Sequence, residues 1–231
     1  MSQTAQIHII AHIESEFPTK FGIPRQSGLV EGLEAKVVFE PEYRNPDALR
    51  GLEGFSHLWL IWEFSQARRE GWSPTVRPPR LGGNQRLGVF ATRSPFRPNP
   101  IGLSCVGLKG IDLHTAQGPV LHVTGADLMD GTPIYDIKPY LPYADAHPQA
   151  LGGFASVPKG ESLEVACEDE LWQRVPPEKQ GALRGVLAQD PRPAYQDDPQ
   201  RVYGMAFGGL EVRFRVEGER LIVVDVEKAK V

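Results

Sequence analysis

The residues best suited to chemistry are concentrated between positions 76 and 103, where five arginines and five prolines are interspersed (VRPPRLGGNQRLGVFATRSPFRPNPIGL). Each proline fixes its own φ angle and pushes the preceding residue toward extended backbone, so this segment is stiff for a loop. A guanidinium group can hold a carboxylate or phosphate through two parallel hydrogen bonds. A stiff loop also has little conformational entropy left to lose on binding. The segment therefore predicts a binding site for an anionic ligand, and the alternative is a proline-rich sheet edge whose arginines are merely solvated.

Two further segments carry groups suited to a polar ligand. Residues 125–143 (GADLMDGTPIYDIKPYLPY) contain three aspartates, and Asp130 with Gly131 is a turn signal. These acceptors and the neighbouring backbone groups could surround a polar ligand, whereas the alternative is an ordinary hairpin turn. Residues 23–28 (IPRQSG) form a weaker third candidate, a proline-set loop that exposes Arg25 and Gln26.

Positive charge is concentrated in the same region. Residues 65–109 hold eight basic residues and one acidic residue, a net charge of +7, so the remainder of a protein with net charge −4 carries −11. Seven of the eight basic residues are arginines. The overall acidity argues against a general nucleic-acid binder, but the local charge favours an anionic partner at one face. A basic loop face without a partner is the alternative.

The elements that position these residues are predicted to be mostly strands. The 231 residues suffice for one large domain, or one domain and a small appendage. Glycine and proline make up about a fifth of the chain, which favours strands and turns over a helical bundle. Alternating or β-branched runs predict strands at 6–13, 33–40, 57–64, 86–92, 101–109, 119–125, 162–167, 202–207, 210–216 and 220–227. Their spacing predicts an antiparallel sheet that forms a barrel or a sandwich.

Two helices are predicted. The first is short and covers residues 46–52, where Asn45 can cap the helix and Pro46 occupies its first position. The second covers residues 177–188 and has an apolar face formed by Ala182, Leu183, Val186 and Leu187.

A polar stretch rich in small residues, 144–161, indicates a linker. We therefore predict a β-rich main domain over residues 1–145 and a smaller α+β domain over residues 160–231.

Several classes of protein are excluded by their missing signatures. Cys105 and Cys167 stand far apart without a CxxC pattern, and the histidines lack metal-ligand spacing, so neither a disulfide scaffold nor a metal site is expected. No GxGxxG or GxSxG motif occurs, which argues against a Rossmann cofactor domain and a serine hydrolase. The longest apolar run is too short for a membrane helix, and the first residues do not form a signal peptide. We expect a soluble, cytoplasmic protein with no metal and no membrane partner.

Three long motifs together resemble one protein family. FATRSPFRPNPIGLS, with DLMDGTPIYDIKPYLPY downstream and GLEGFSHLWLIWEF upstream, resembles the TrmO family, and AQDPRPAY at 188–195 resembles the family's C-terminal motif. The resemblance implies a mainly β fold: a single-sheeted β-barrel methyltransferase domain of non-Rossmann type, with a small α+β C-terminal domain. It also implies a homodimer that uses S-adenosyl-L-methionine. The implied reaction methylates N6 of N6-threonylcarbamoyladenosine at position 37, beside the anticodon, in threonine tRNA.

The same resemblance implies the residues that hold the methyl donor. Ser65 departs from the family pattern, since histidine is expected at that position. The implied donor site consists of Pro24, Arg25, Gln26, Ser65, Gln66, Arg93, Leu103, Asp130, Gly131, Thr132 and Pro133.

The implied reaction adds requirements for a base and for RNA contacts. The acceptor nitrogen must lose a proton, and a nearby carboxylate is a suitable general base, with Asp127, Asp130 and Asp136 as the candidates. An anticodon loop is single-stranded and carries phosphates, so basic side chains are expected to follow it. The residues expected to contact tRNA are Arg77, Arg80, Arg86, Arg97, Arg192 and Tyr195.

Two other functions fit the same residues. The first is a protein of this fold that binds S-adenosylmethionine or tRNA without turnover. The intact PRQ, ATRSPFRPNPIG and DGTP segments of this sequence argue against that alternative. The second is a methyltransferase that acts on a different substrate. The basic loop and the DPRPAY segment favour tRNA over a small molecule.

Overall fold

The N-terminal half of the molecule is a closed β-barrel. The computed structural model describes residues 4–156, 162–193, 196 and 198–229. Six antiparallel strands close the barrel in the order β1-β2-β7-β6-β3-β8, which confirms the predicted barrel. The strands of this half, including the small hairpin β4–β5, are β1 (Ala11–Glu14), β2 (Glu34–Phe39), β3 (His57–Glu63), β4 (Thr75–Val76), β5 (Leu87–Gly88), β6 (Ile101–Thr115), β7 (Gly118–Thr124) and β8 (Pro133–Pro139).

Alternation along the strands explains why the barrel closes around an apolar interior. On β3, Leu58, Leu60 and Trp62 are buried, whereas the positions between them face outward. The Trp62 ring packs over Gly102 on the neighbouring strand β6, and a side chain at that glycine would overlap the ring. The inward face of β3 therefore supplies much of the barrel core.

Strand β8 was not predicted, because its sequence gives a weak strand signal. Asp130 and Gly131 predict a turn, and that turn ends at residue 132, after which β8 pairs with both β1 and β3. Pro133 occupies the first strand position, where a proline is tolerated. The polar residues Asp136 and Lys138 interrupt the apolar pattern, since this strand exposes one face. The predicted strand 86–92 likewise contains only β5 before a 3-10 turn begins at Val89.

The C-terminal domain is a four-stranded sheet packed against one helix. The sheet has the order β10-β11-β12-β9, with β9 parallel to β12. Helix α3 has the predicted limits and buries the predicted apolar face. The elements are β9 (Glu164–Ala166), α2 (Asp169–Trp172), α3 (Pro177–Ala188), β10 (Tyr203–Phe207), β11 (Leu210–Glu217) and β12 (Arg220–Lys228).

The remaining helical elements are short. The predicted helix at 46–52 is a 3-10 turn, Pro46–Leu49, in which the Asn45 side chain accepts a hydrogen bond from the Asp47 amide at 3.0 Å. Helix α1 (Pro142–Asp145) follows β8. Within the described ranges, no helix has the length and apolar character needed to cross a bilayer. The other 3-10 turns are Pro41–Tyr43, Leu52–Gly54, Ser65–Ala67, Pro79–Leu81, Val89–Ala91 and Gly153–Ala155.

Residues 15–33, here called the bridging segment, belong structurally to both domains. Phe17, Val30 and Leu33 are buried in the core of the C-terminal domain, although they lie between two barrel strands in the sequence. The Glu16 carbonyl accepts a hydrogen bond from the Gly208 amide at 2.8 Å, and the Glu16 carboxylate pairs with Lys179 at 2.7 Å. The C-terminal domain therefore holds this segment through both packing and polar contacts.

The opposite side of the bridging segment is bonded to the barrel. The Gly28 amide donates to the Gly125 carbonyl at 2.9 Å, and the Gly125 amide donates to the Leu33 carbonyl at 2.8 Å. The Asp130 amide donates to the Phe17 carbonyl at 2.8 Å. The segment is thus fixed at several points on both of its sides, which defines the position of the Pro24–Gln26 loop at its centre.

Substitutions at Gly22 and Gly28 test how tightly the bridging segment is packed. Both glycines have positive φ, but only Gly22 lies against another side chain. Gly22 has φ +91° and an added Cβ would overlap the Met205 sulfur, whereas Gly28 has φ +78° with open space around it. We expect Gly28→Ala to lower the free energy of unfolding by about 1 kcal/mol through backbone strain alone. Gly22→Ala should cost about 1–3 kcal/mol more, because it also overpacks the contact with Met205. Urea unfolding of the two variants measures the difference, and equal losses would contradict a tight packing of the bridging segment on the C-terminal domain.

Candidate functional site

A cleft of about 830 Å³ opens at the end of the barrel where β3 and β7 end and β6 and β8 begin. Its volume lies within the range of typical small-molecule sites, about 300–1,000 Å³. Four parts of the chain form its walls: the bridging segment, the turn after β3, the loop that leads into β6, and the loop between β7 and β8. The predicted residues that line the cleft are Pro24, Arg25, Gln26, Ser65, Gln66, Arg93, Arg97, Leu103, Asp127 and Thr132.

The bridging segment and the arginine-rich loop are joined directly at the cleft. The Arg93 guanidinium donates a hydrogen bond to the Gln26 side-chain oxygen, and the Gln26 amide group donates to the carbonyl of Arg25. Pro24 is buried, whereas Arg25, Gln26 and Arg93 are exposed toward the cleft. Two segments that are far apart in the sequence therefore present three polar side chains to one space.

Ser65 and Gln66 lie on the 3-10 turn that follows β3. The Phe64 amide donates to the Pro100 carbonyl at 2.8 Å, and the Ala67 amide donates to the Phe64 carbonyl at 2.8 Å. These bonds fix the turn beside the start of β6 and leave both polar side chains exposed. Leu103, opposite Ile61 on the outer face of the barrel, is 54% exposed and supplies an apolar part of the cleft wall.

Among the described residues, Asp127 is one of two carboxylate residues that line the cleft, and Glu63 is the other. The Asp127 Oδ1 accepts a hydrogen bond from the Ser104 hydroxyl, and the Ser104 oxygen accepts one from the Trp62 indole N–H at 2.9 Å. Burial raises the pKa of Asp127 above its ordinary value, while the hydrogen bond from Ser104 and the charge of Arg93 oppose that shift. A partly desolvated carboxylate with a raised pKa can accept a proton from a bound substrate.

The other two candidate aspartates have different surroundings. Asp130 is exposed, and its Oδ1 accepts a hydrogen bond from the Ser15 amide at 2.9 Å, which fixes the start of the bridging segment. Asp136 accepts from the Ile137 amide at 2.9 Å and pairs with Lys138 at 3.0 Å on β8. Neither of these two lines the cleft.

The predicted donor-binding turn at 130–133 is only partly in the cleft. Thr132 is buried and lines it, whereas Gly131 and Pro133 do not. Gly131 has φ +71°, and its amide donates to the Ile13 carbonyl at 2.8 Å. The turn therefore connects the cleft to strand β1.

A charged pair, Glu63 and Arg68, was not predicted from the sequence, and Glu63 of this pair lines the cleft. Glu63 is 3% exposed, and its carboxylate accepts hydrogen bonds from the Arg68 guanidinium, one of them at 2.8 Å. The hydrogen bond from Arg68 lowers the pKa of Glu63, and burial raises the pKa of the neighbouring Tyr135. This pair closes the turn that carries Ser65 and Gln66. An acid within the apolar run HLWLIWEF was the sequence signal for it.

The residues predicted to contact RNA are spread over a wider surface. Arg97 lines the cleft and donates to the Thr92 carbonyl at 3.1 Å. Arg77 and Arg86 are exposed on the β4–β5 hairpin or next to it, and Arg80 is half-buried on the connection between these strands. Arg192 pairs with Asp190 at 2.8 Å and its side chain is 11% exposed. Tyr195 lies outside the described residues.

A metal site was not predicted, and the described part of the chain contains no group of three or more His, Cys, Asp or Glu side chains that could hold a metal ion. Cys105 and Cys167 are both free thiols, and burial raises the pKa of each. The polar side chains that line the cleft are those of arginine, lysine, asparagine, glutamine, serine, threonine, aspartate and glutamate residues.

Comparison with known proteins gives matches along both domains. The family model described as the tRNA-methyltransferase O N-terminal domain matches residues 12–146, and the TrmO C-terminal domain model matches residues 160–229. The Escherichia coli protein named tRNA (adenine(37)-N6)-methyltransferase is 46% identical over 219 residues, which cover 91% of this chain and 93% of that protein.

Two further comparisons concern proteins from Pseudomonas aeruginosa. One, named as a candidate S-adenosylmethionine-dependent methyltransferase, is 42% identical over 231 residues, covering 96% of this chain and 98% of that protein. The crystal structure of TrmO from this organism superposes with a TM-score of 0.79 at 35% identity and covers 99% of both chains. The similarity therefore extends over the barrel, the cleft and the C-terminal domain.

The raised pKa of Asp127 predicts how the free energy of unfolding changes with pH. Below the ordinary aspartate pKa of about 3.9 the residue is neutral in both states. As the pH rises, the unfolded chain loses this proton before the folded protein does, so ionisation of Asp127 lowers the stability of the wild type. We expect Asp127→Asn, which keeps an acceptor for Ser104 but no charge, to gain stability relative to the wild type between pH 4 and neutral pH. The gain should be about 1.4 kcal/mol for each unit by which the pKa is raised.

Urea unfolding of Asp127→Asn and wild type at several pH values measures this difference. A difference that stays constant or falls as the pH rises would show that the folded protein does not disfavour the charge on Asp127.

Proposed function

We propose the function of this protein from one established fact: the chain belongs to the TrmO family, whose N-terminal and C-terminal models both match it. It is a methyltransferase, as its relatives are named. We propose that it transfers the methyl group of S-adenosyl-L-methionine to N6 of adenine 37 in tRNA. We further propose that the acceptor is N6-threonylcarbamoyladenosine in threonine tRNA, and that the reaction takes place in the cytoplasm.

The observation that carries this proposal is that four separate parts of the chain meet around one cleft, and that one of them, the loop between β7 and β8, supplies Asp127. The residues of the cleft suit the donor's chemistry. Arg25, Gln26 and Arg93 can bind its amino-acid portion, since arginine recognises a carboxylate through paired hydrogen bonds. Leu103 and the neighbouring aromatic side chains of Phe64 and Phe96 offer apolar surface for its adenine.

S-adenosyl-L-methionine, when bound, supplies an electrophilic methyl group on a positively charged sulfur. The chain's own contribution is to position the acceptor and remove its proton. The acceptor nitrogen carries an acyl group, which makes it a weak nucleophile, so its N6 proton must leave during or after the formation of the new N–C bond. Asp127 is the proposed acceptor of that proton. Oriented reactants can account for about 7–11 kcal/mol of barrier lowering.

Ser104 and Trp62 are the proposed positioning residues for Asp127. The Ser104 hydroxyl donates to Asp127 and accepts from the Trp62 indole, so each group fixes the orientation of the next. Asp130 and Asp136 are less suitable as the base, since the Ser15 amide engages the first and Lys138 the second.

The proposed tRNA contacts lie around and beyond the cleft. Arg77, Arg80, Arg86 and Arg97 would follow the phosphates of the anticodon loop, so that binding weakens as salt increases. The pairing of Arg192 with Asp190 and its low exposure favour a role in shaping the C-terminal loop over direct phosphate contact.

We also propose that the protein is a homodimer. Trp59, Ile61, Leu103 and Cys105 form a row of apolar or weakly polar side chains on the outer face of β3 and β6, each of them at least partly exposed. A second copy of the chain could cover this row beside the cleft. Light scattering that gives a monomer mass at micromolar concentration would contradict this proposal.

Methyl transfer to two matched threonine tRNAs tests the proposed substrate. One tRNA carries threonylcarbamoyladenosine at position 37, and the other is an unmodified transcript. We expect label from S-adenosylmethionine only on the modified tRNA. Label on both would remove the requirement for the threonylcarbamoyl group. No label on either, with donor binding confirmed, would favour a protein that binds without turnover or a different methyl acceptor.

The assignment of Asp127 predicts a loss of turnover in Asp127→Asn. General-base catalysis contributes about 10²–10⁴-fold, so the single-turnover rate should fall by about that factor. The wild-type rate should rise with pH through the raised pKa of Asp127, because the base must be ionised. Asp136→Asn is the matched control, since this carboxylate lies outside the cleft, and it should retain the wild-type rate. Donor affinity, measured by calorimetry, separates lost chemistry from lost binding, and a rate unchanged in Asp127→Asn would refute the assignment.

A further inference from the structure

Two large aromatic side chains stand exposed at the base of the β4–β5 hairpin. Trp72 is 54% exposed and Phe90 is 72% exposed. Their ring centroids lie 6.0 Å apart with a 35° angle between the planes. Trp72 precedes β4 and Phe90 follows β5, so the pairing of these strands brings the two rings together. Phe90 also lines the cleft, whereas Trp72 does not.

The hairpin fixes this pair in place. Thr75 pairs with Gly88 in the two-stranded sheet, and the Val89 amide donates to the Pro74 carbonyl at 2.9 Å. Val89 itself is 1% exposed, so the backbone beside Phe90 is anchored in the protein while the ring of Phe90 remains in solvent. Adjacent exposed rings on an anchored backbone are typical of an interaction surface.

The charge around the rings indicates which partner they bind. The surrounding stretch, residues 65–109, has a net charge of +7. A third aromatic side chain of this surface, Phe96, is 42% exposed and has the Arg69 guanidinium 3.8 Å from its ring centroid. Exposed rings among arginines match single-stranded nucleic acid, whose bases stack on the rings while its phosphates contact the cations. A second copy of the chain at this position would bring two basic surfaces together, which disfavours that occupant.

We propose that Trp72 and Phe90 form a stacking platform for unpaired bases of the anticodon loop next to the methylated adenine. This inference rests on the proposed function. Phe90 at the cleft edge receives the base adjacent to the acceptor, and Trp72 receives the next base outward. The platform holds the loop open while the acceptor base is in the cleft, and because every base has a π-face, it does so without selecting a sequence.

The test compares Trp72→Ala with wild type in binding an anticodon stem–loop of threonine tRNA that carries threonylcarbamoyladenosine at position 37, over a range of salt concentrations. Stacking on one ring contributes about 5- to 150-fold in affinity, and we expect a loss of that size at every salt concentration. The slope of log affinity against log salt should not change, because no charge is removed. Arg77→Ala should instead reduce this slope by about 0.7 to 0.9.

Two control variants exclude simpler explanations. Trp72→Phe should retain most of the affinity, because it keeps a ring for stacking. Tyr143→Ala removes a ring that is 87% exposed on helix α1, and it should bind as the wild type does. Donor affinity should be unchanged in Trp72→Ala, since this side chain does not line the cleft.

The outcomes separate this inference from the proposed function. An unchanged affinity in Trp72→Ala, or a changed salt slope, would overturn the stacking platform while leaving methyl transfer intact. A change in mass by light scattering without a change in RNA affinity would assign the rings to a contact between copies. If the wild type binds no stem–loop, the proposed function fails, and a 15-nucleotide single strand of uridines then tests the platform by the same comparison. Absence of binding to both RNAs would refute both proposals.

Discussion

The cleft depends on one constraint above all: the bridging segment must pack on the C-terminal domain and hydrogen-bond to the barrel at the same time. Its apolar side chains, Phe17, Val30 and Leu33, complete the core of the C-terminal domain. Its backbone groups bond to the barrel loop that also carries Asp127. The intervening Pro24–Gln26 loop cannot shift without disturbing one side or the other. The C-terminal domain thus contributes to the cleft without supplying a side chain to it, since no described residue beyond Thr132 lines the cleft.

Asp127 also depends on contacts made by distant residues. A buried carboxylate costs stability unless it is hydrogen-bonded, and Ser104 and Trp62 supply a chain of donors that ends at Asp127. Burial nonetheless keeps its pKa raised. A fold selected for stability alone would place a neutral group there. Asp127 lies where four segments of the chain meet, and its burial as a charged group lowers the stability of the fold. This combination favours a role in proton transfer.

The sequence predicts part of this arrangement well. Regular alternation predicted β3, the strands of the C-terminal sheet and the limits of α3, because burial on one face determines each of them. The density of prolines and arginines predicts a ligand-binding loop at 76–103, and Arg93, Arg97 and Leu103 of this segment line the cleft. Strand β8 escaped prediction, since Asp136 and Lys138 occupy its exposed face and interrupt the apolar pattern.

The sequence does not distinguish Asp127, Asp130 and Asp136 as candidates for the general base. The choice depends on partners that are distant in the chain: Ser104 for Asp127 and Ser15 for Asp130. The bridging segment shows no helical or strand periodicity, so its burial in a domain more than a hundred residues downstream had no local signal. Long-range contacts of this kind decide which polar residues meet at a site.

The crystal structure of the protein with S-adenosylhomocysteine, the product of the donor, tests the central claim most directly. The account predicts the product in the cleft, with its amino-acid portion bonded to residues of the Pro24–Gln26 loop or to Arg93, and with its sulfur on the side of Asp127. Product bound outside this cleft, or with its sulfur turned away from Asp127, would contradict the account.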